Sequence, residues 1–373
     1  MSMVPARRRV RRAHRPARHA WRLAAGVALL ALAGLAAGCS GSDDAADSAD
    51  DVKRVGLMHV GTDHVPPSFA SLATQLEKEY GWDVPDAELE RCVAEKRADC
   101  TLRGKNLELL WRNLEPELAD AQARAFVLDR VDAIVAFEDT SIEASQKATR
   151  GSEENRIPIV FLHPSDPVRD GLVKTLSSPG GNLTGVFGAR DEVDKQLETY
   201  QLLVPGLRRL LTLADPTDKR TERLLPELRK AAAGLPRPVE LVVREATTDD
   251  DLRRVFRSLE PGDVDGAFLL SPSLRLNHSS LSIELARRAG IPIQAHRKEW
   301  VEQGALFSYG IDLGLIGRAG ARYVDSILRG TPPSELPVEE IPDIEFAVNL
   351  ETAARLGFKV PEEMIIRADE AYP

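Results

Sequence analysis

The chain has 373 residues, with 49 Lys and Arg against 58 Asp and Glu, and a formal net charge of −9. Residues 1–38 hold eight arginines and no acid, so the rest of the chain has 41 basic and 58 acidic side chains and a net charge of −17. Such a surface repels phosphate backbones and argues against a nucleic-acid partner. The length after residue 51, roughly 320 residues, favours two lobes, each able to bury its own core.

The N-terminus is typical of an export signal. After the arginines, residues 23–38 form an uncharged run rich in Ala and Leu, shorter than the about 20 residues of a membrane span. Ala36, Ala37 and Gly38 precede Cys39, and this order resembles a bacterial lipobox, which implies cleavage after Gly38 and lipidation of Cys39. An uncleaved N-terminal helix is the alternative, and both Sec and twin-arginine export stay open. Residues 40–51, with five aspartates and no large apolar side chain, are interpreted as a tether.

Two further cysteines, Cys92 and Cys100, belong to the exported part. An even pair in an oxidising compartment favours a disulfide, and two free thiols are the alternative. A zinc site is disfavoured because no histidine lies near them in sequence.

From residue 52 onward, short β-branched or apolar runs alternate with longer amphipathic ones. This pattern predicts βαβ units, parallel sheets and an α/β fold of two doubly wound lobes. The predicted strands are 54–60, 133–137, 158–162, 210–214, 239–244, 266–270, 292–295 and 306–311. The predicted helices are 68–80, 107–127, 141–149, 192–203, 222–233, 250–259, 281–289 and 315–328. A break near Gly180, Gly181 and Asn182 separates the two series.

Ligands of such sheets bind beyond the carboxyl ends of the strands, so the residues there are the candidate site. In the first lobe, the first strand is followed by Thr62 and Asp63, which form either a ligand contact or a polar loop. The next candidate segment is Phe137, Glu138, Asp139 and Thr140. Thr140 and Glu143 have the spacing of a capping box, and Asp139 is a second possible cap, but neither explains Glu138. Two acids at a helix start would suit an ammonium or several hydroxyls better than an anion.

The remaining candidates follow later strands. They are Ser165, Asp166, Asp215, Ser271, Tyr309 and Asp312. Aspartate before proline, as at Asp166 and Asp215, is also a common turn or cap device, and Asp312 is an alternative cap for the next helix. Most charges of residues 296–300 are expected to be solvated, with Trp300 as a packing residue.

No motif for a metallopeptidase, a nucleophile elbow, a phosphate-binding loop or a dinucleotide fold is present in the sequence. We therefore predict a protein that is not an enzyme and that uses no cofactor and no metal. An exported α/β enzyme remains the alternative from another class.

Two motifs carry a family resemblance. They are Ser165-Asp166-Pro167-Val168 and Pro179-Gly180-Gly181-Asn182-Leu183-Thr184-Gly185, supported by Ser308-Tyr309-Gly310 and Ala347-Val348-Asn349-Leu350. From about residue 52 to the C-terminus the chain resembles the ABC transporter substrate-binding family, which includes tryptophan- and tyrosine-binding lipoproteins. Relatives often carry Gly-Thr-Pro where this chain has Glu138-Asp139-Thr140, so the resemblance assigns the fold more directly than the ligand.

The resemblance implies a type I periplasmic-binding-protein fold with three crossover strands, at 183–186, 306–311 and 346–349. The first lobe would comprise residues 52–185 and 312–338, and the second residues 186–311 and 339–373. It also implies a monomer that captures a small polar ligand, an amino acid or a similar molecule, for an ABC permease and its ATPase, while a lipid anchor holds it outside the cell on the membrane. A lipoprotein sensor or accessory protein of the same fold, without a permease, is the alternative.

Overall fold

The computed structural model describes residues 52–61, 65–151, 156–188 and 193–373. The export signal, Cys39, the tether, Thr62 and Asp63 lie outside the described residues. The strands are β1 Lys53–Val60, β2 Asp99–Arg103, β3 Leu107–Leu114, β4 Ala133–Phe137, β5 Ile159–Leu162, β6 Leu183–Gly188, β7 Arg209–Ala214, β8 Glu240–Glu245, β9 Gly266–Leu269, β10 Gln294–Ala295, β11 Phe307–Ile311, β12 Glu339–Ile341, β13 Ile344–Asn349 and β14 Glu370–Tyr372. The helices are α1 Pro67–Tyr80, α2 Asp86–Ala94, α3 Ala119–Leu128, α4 Glu138–Ala148, α5 Val193–Leu203, α6 Thr221–Gly234, α7 Asp249–Arg257, α8 Pro272–Asn277, α9 Ser279–Ala289, α10 Lys298–Glu302, α11 Leu313–Leu328, α12 Leu350–Arg355 and α13 Glu362–Arg367.

The first lobe is built on a seven-stranded sheet in the order β12-β6-β5-β4-β1-β3-β2. Its strands run parallel except β2, which pairs antiparallel with β3. Alternate residues of β4 enter two different cores: Val135 faces one core with Leu57 and Phe69, whereas Ile134 faces the other with Phe126. The sheet is thus covered on both faces, which explains its continuous apolar strands.

The second lobe contains the sheets β8-β7-β9 and β10-β11-β13-β14. A parallel bridge between Ala267 and Ile293 connects them at β9. Leu210 and Phe268 face one core, and Leu211 and Leu269 face the other. The predicted α/β fold of two mainly parallel, doubly wound lobes is therefore confirmed.

The chain passes between the two lobes three times. It leaves the first sheet after β6, returns from β11 into α11, which packs on α1, and leaves again between β12 and β13. Each lobe is therefore discontinuous in sequence. The residue boundaries given above for the lobes stay a prediction.

The predicted helix at 107–127 is wrong in its first half. Leu107–Leu114 is strand β3, which pairs with β1 and β2, and the helix begins only at Ala119. Pro116 accounts for the change, because the residue before a proline is pushed out of the helical region. Glu115 accordingly has φ −67° and ψ 147°.

Between β1 and β3 the structure places α2 and β2, which the sequence reading did not resolve. Cys92 in α2 and Cys100 in β2 are joined by a disulfide. Both cysteines are buried in the core of the first lobe. None of the described helices combines the length and the apolar character needed to cross a bilayer.

Candidate ligand site between the lobes

Four charged side chains meet where the lobes face each other: Glu138, Asp139, Arg220 and Arg297, here called the interlobe cluster. Glu138 and Asp139 open α4 in the first lobe, directly after β4. Arg297 Nη2 lies 2.7 Å from Glu138 Oε1, and Arg220 Nε lies 2.9 Å from Asp139 Oδ2. Two ion pairs therefore bridge the lobes at the carboxyl ends of their strands, the position expected for a ligand in such sheets.

Arg297 is the most buried member of the cluster, with 5% of its surface exposed. Its guanidinium lies over the ring of Trp300, with Cζ 5.2 Å from the ring centroid. Trp300 is itself buried and belongs to the core of the second lobe, so it holds the guanidinium in place. The expectation that the charges after β10 are solvated is wrong for Arg297, and the expected packing role of Trp300 is confirmed.

Two residues at this edge of the first sheet have left-handed backbone conformations. Glu138 has φ +65° after β4, and His163 has φ +60° after β5. Such conformations are uncommon for residues other than glycine and cost of order 1–3 kcal/mol. Strain of this kind concentrates where a side chain must be aimed, and here both residues lie beside the cleft.

The capping box predicted at Thr140 and Glu143 is wrong. Helix α4 begins at Glu138, so Thr140 lies inside it. The N-cap residue is Phe137, and no side chain makes a capping hydrogen bond there. Asp139 instead accepts hydrogen bonds from the backbone N–H of Ser165 at 2.9 Å and from Ser165 Oγ at 2.5 Å. Ser165 thus orients the carboxylate that faces Arg220.

The environment of Arg220 favours its charge. Burial opposes the charge, but Asp139, Asp218 and Glu143 outweigh burial and raise the pKa of the guanidinium. All three carboxylates lie within 3.6 Å of Arg220, and Asp139 and Glu143 belong to the opposite lobe. Arg220 is therefore engaged on several sides by the protein itself.

Two histidines add to the cleft. Desolvation, with the nearby charges of Arg275, Arg297 and His163, lowers the pKa of His296 well below its ordinary value, so this ring is neutral at physiological pH. His163 Nδ1 is buried and has no hydrogen-bond partner among the described residues. A buried polar atom without a partner is rare in native proteins and calls for an explanation.

Several other predicted site residues have structural roles in the lobes. Phe137 is 2% exposed and packs against Trp111 with ring centroids 5.6 Å apart. Asp166 Oδ1 accepts the backbone N–H of Arg169 in a turn, and Asp312 caps α11 through the N–H of Gly314 at 2.7 Å.

Asp215 and Ser271 form a buried network at the end of β7. Asp215 accepts hydrogen bonds from Thr217, Thr247 and Ser273, and its N–H donates to Ser271 Oγ at 2.7 Å. Although burial opposes ionisation, these hydrogen bonds lower the pKa of Asp215. Tyr309 packs against the core of the second lobe, and its carbonyl accepts from Gln196 Nε2. A ligand contact by any of these residues remains a prediction.

The sequence predicts Glu138, Asp139 and Ser165 at neighbouring strand ends as site residues, but it does not predict that Arg220 and Arg297 belong to the site. Both arginines come within a few residues of a predicted strand end, six after Ala214 and two after Ala295. That position is the available signal. It is a weak one, because an arginine in a polar loop is usually solvated.

A third contact between the lobes involves backbone. Gly61 follows β1 with φ +85°, and a Cβ placed on it would lie 1.9 Å from Asn277 Oδ1 at the end of α8. A larger residue here would be strained by the left-handed φ and would displace the side chain of Asn277.

Two surface cavities of about 330 and 510 Å³ lie on the second lobe. One is lined by residues of α9, α10 and α12, and the other by residues of α7 and α9. Neither includes a member of the interlobe cluster.

Comparison with known proteins agrees with this architecture. The model of the family "ABC transporter substrate binding protein" matches residues 99–372, and the chain belongs to this family. A tyrosine-binding protein of Clostridioides difficile is 27% identical over 258 residues, which cover 69% of this chain and 72% of the relative.

Solved structures share the fold. A conserved domain protein of Vibrio cholerae matches with TM-score 0.68 and 25% identity, over 86% of this chain and all of the other. A Streptococcus pneumoniae ABC domain in complex with L-Trp matches with TM-score 0.66 and 17% identity, over the same shares. The ligand-free, open structure of a Clostridium difficile substrate-binding protein with adhesive properties matches with TM-score 0.56 and 24% identity, over 86% and 99%. The type I periplasmic-binding-protein fold is thereby confirmed.

Proposed function

We propose that this chain is an extracytoplasmic lipoprotein that binds a small polar ligand, an amino acid or a similar molecule, between its lobes for an ABC importer. The observation that carries the proposal is the meeting of Glu138 and Asp139 with Arg297 and Arg220 across the cleft. The first lobe supplies the negative charges and the second lobe the positive ones, which suits a polar ligand that contacts both lobes. The names of the relatives, which mention tyrosine and L-Trp, support the amino-acid class.

The mechanism is binding coupled to closure, without chemistry. Separated lobes admit the ligand, and the ligand favours closure only as far as it binds the closed form more tightly than the open form. The closed form then presents both lobes together to the permease. The lipid on Cys39 would keep the protein near that permease at the membrane surface.

The test is thermal unfolding of the compact unit Ala49–Pro373 against amino acids, sugars, nucleosides and polyamines. A ligand at 100 times its Kd adds about 2.7 kcal/mol to the free energy of unfolding, which is visible as a higher midpoint. A selective rise with one amino acid supports the proposal. A folded protein that responds to no compound in the panel would contradict it and favour a sensor or accessory role.

The lipid anchor has its own test in bacterial cells. The full chain is expected in the membrane fraction, with a diacylglyceryl modification on Cys39 visible by mass spectrometry of the mature N-terminus. The variant Cys39→Ser should lose the modification. An unmodified, uncleaved wild-type N-terminus would overturn the lipoprotein part and leave ligand binding untouched.

A further inference from the structure

Among the described residues, the guanidinium of Arg297 is only partly satisfied. Nη2 pairs with Glu138 at 2.7 Å, whereas Nη1 is buried and has no hydrogen-bond partner in the described part of the chain. A guanidinium offers five N–H donors in a planar fork, and a buried donor without a partner is destabilising because it has lost its hydrogen bonds to water. Arg220, by contrast, has carboxylates on several sides.

The open donor lies in a rigid setting. The ring of Trp300 packs against one face of the guanidinium, and Glu138 pairs with it from the opposite lobe. The carboxylate of Glu138 is aimed there by a left-handed backbone that this residue type rarely adopts. A structural ion pair needs neither the strain at Glu138 nor an open N–H on its partner, so both observations point to a ligand.

We propose, on the basis of the function above, that Arg297 and Glu138 are the specificity-determining residues for a ligand that is a free amino-acid zwitterion. The ligand's α-carboxylate accepts from Nη1 of Arg297, and its α-ammonium donates to Oε2 of Glu138. The two oppositely charged side chains already lie in contact, so they match the adjacent charges of an α-amino acid. Trp300 is a positioning residue that acts through Arg297.

The same arrangement separates two roles within the interlobe cluster. The pair of Asp139 and Arg220 has further partners within the protein and therefore acts on closure, which affects every ligand equally. The pair of Glu138 and Arg297 contacts the charged groups of the ligand directly. Changes in this pair should therefore alter the affinity for a free amino acid and for its blocked analogues by different factors. Arg220→Met is therefore the matched control for Arg297→Met.

The experiment measures Kd by isothermal titration calorimetry for each of the twenty L-amino acids, then for the amide and the N-acetyl form of the tightest binder. Loss of one charge-assisted hydrogen bond at a buried site corresponds to a weakening of at least about tenfold for each analogue on the wild-type protein. Arg297→Met should abolish the discrimination between acid and amide, and Arg297→Lys should retain part of it. Glu138→Gln should abolish the discrimination against the N-acetyl form. Arg220→Met should weaken acid and amide by the same factor.

The outcomes distinguish this inference from the proposed function. If an amino acid binds but its amide binds equally well, or if Arg297→Met keeps the preference, the inference is overturned and the solute-binding function stands. If only a sugar, nucleoside or polyamine binds, the zwitterion assignment is likewise overturned. If nothing binds, both fail. The analogue series on the wild-type protein decides the matter even where a variant does not fold.

Discussion

At the scale of single residues, the interlobe cluster shows how four ordinary side chains acquire a function through placement. Glu138 and Asp139 are neighbours in sequence, yet their partners come from different loops of the other lobe, Arg297 and Arg220. Each of the two carboxylates thus faces a different arginine. Fixed carboxylates and guanidinium groups of this kind give specificity more readily than stability, because each must first be taken out of water.

Asp139→Ala tests the closure contact. Removal of this carboxylate leaves Arg220 without its nearest partner across the cleft and Ser165 without an acceptor. Affinity for the amino acid that binds most tightly, measured by calorimetry, should fall by about tenfold, equivalent to about 1.4 kcal/mol. The control Glu143→Ala removes a partner of Arg220 whose side chain is 62% exposed, and it should change affinity by less than about twofold. Equal losses of affinity in the two variants would refute the claim that Asp139 controls closure and Glu143 does not.

The sequence allowed Glu138, Asp139 and Ser165 to be placed at strand ends, because the period of buried residues reveals where a strand stops. It did not allow Arg297 to be paired with Glu138, since 159 residues separate them and the contact depends on how the lobes face each other. The strain at Glu138 was equally hidden, because φ is set by tertiary context and not by residue type.

At the scale of elements, the disulfide between Cys92 and Cys100 ties α2 to β2 across a separation of eight residues. Closing so short a loop stabilises mainly by restricting the unfolded chain, by about 2–3 kcal/mol. The double variant Cys92→Ala with Cys100→Ala should lower the free energy of unfolding by that amount in urea titrations. The wild type with reductant should behave like the variant, and a reductant effect on the variant itself would mean that another group is responsible.

Helix α7 carries a capping box whose acid titrates. Thr248 accepts from the N–H of Asp251, and Asp251 accepts in return from the N–H of Thr248. Hydrogen bonds from the Thr248 side chain, the Thr247 N–H and Arg254 lower the pKa of Asp251 from its ordinary 3.8 to about 2. Because the folded pKa is the lower one, the contribution of this carboxylate to stability is present above pH 3.8 and is lost as the pH falls toward 2.

Chemical unfolding between pH 7 and pH 2 checks this expectation. Asp251→Asn should be less stable than wild type at neutral pH, and the difference should shrink as the pH falls below 3.8. Asp250→Asn is a control on the same first turn, and its side chain is 86% exposed. A stability difference for Asp251→Asn that does not vary with pH would show that the charge plays no part.

Most elements could be predicted from period and composition alone, as for β4, whose bounds agree residue for residue. The failures have physical causes. The run at 107–114 has apolar residues at helical spacing, but Pro116 separates it from the helix and its pairing with β1 and β2 makes it a strand. The three residues of β12 are too few to show a period, and β2, with polar Asp99 and Arg103 at its ends, is recognised only by its pairing with β3.

At the scale of the whole molecule, Gly61 marks a point where the two lobes approach closely. Gly61→Ala adds a Cβ that would overlap Asn277 Oδ1 of the other lobe and must also adopt a left-handed φ. Gly81→Ala is the control for the backbone term alone, since Gly81 has φ +74° and open space around its missing Cβ.

We expect Gly61→Ala to weaken ligand binding and to enlarge the radius of gyration with ligand present, measured by small-angle X-ray scattering. Gly81→Ala should lower stability by roughly 1 kcal/mol without changing either quantity. The second change Asn277→Gly should restore closure in the Gly61→Ala background. A double variant as open as the single one would show that the clash is not what holds the lobes apart.

The borders of the large sheet bear on the proposed anchoring, in which many copies of the chain would share one membrane surface. Exposed sheet borders recruit strands from other chains and lead to aggregation. Here one border is β2, five residues long, with Asp99 and Arg103 exposed and Cys100 pinned by its disulfide. The other is β12, three residues long, with Glu339 and Glu340. Neighbouring copies therefore find no long apolar strand to extend at either border of this sheet, and under the proposed lipid anchoring the chain would be concentrated at a surface without pairing through it.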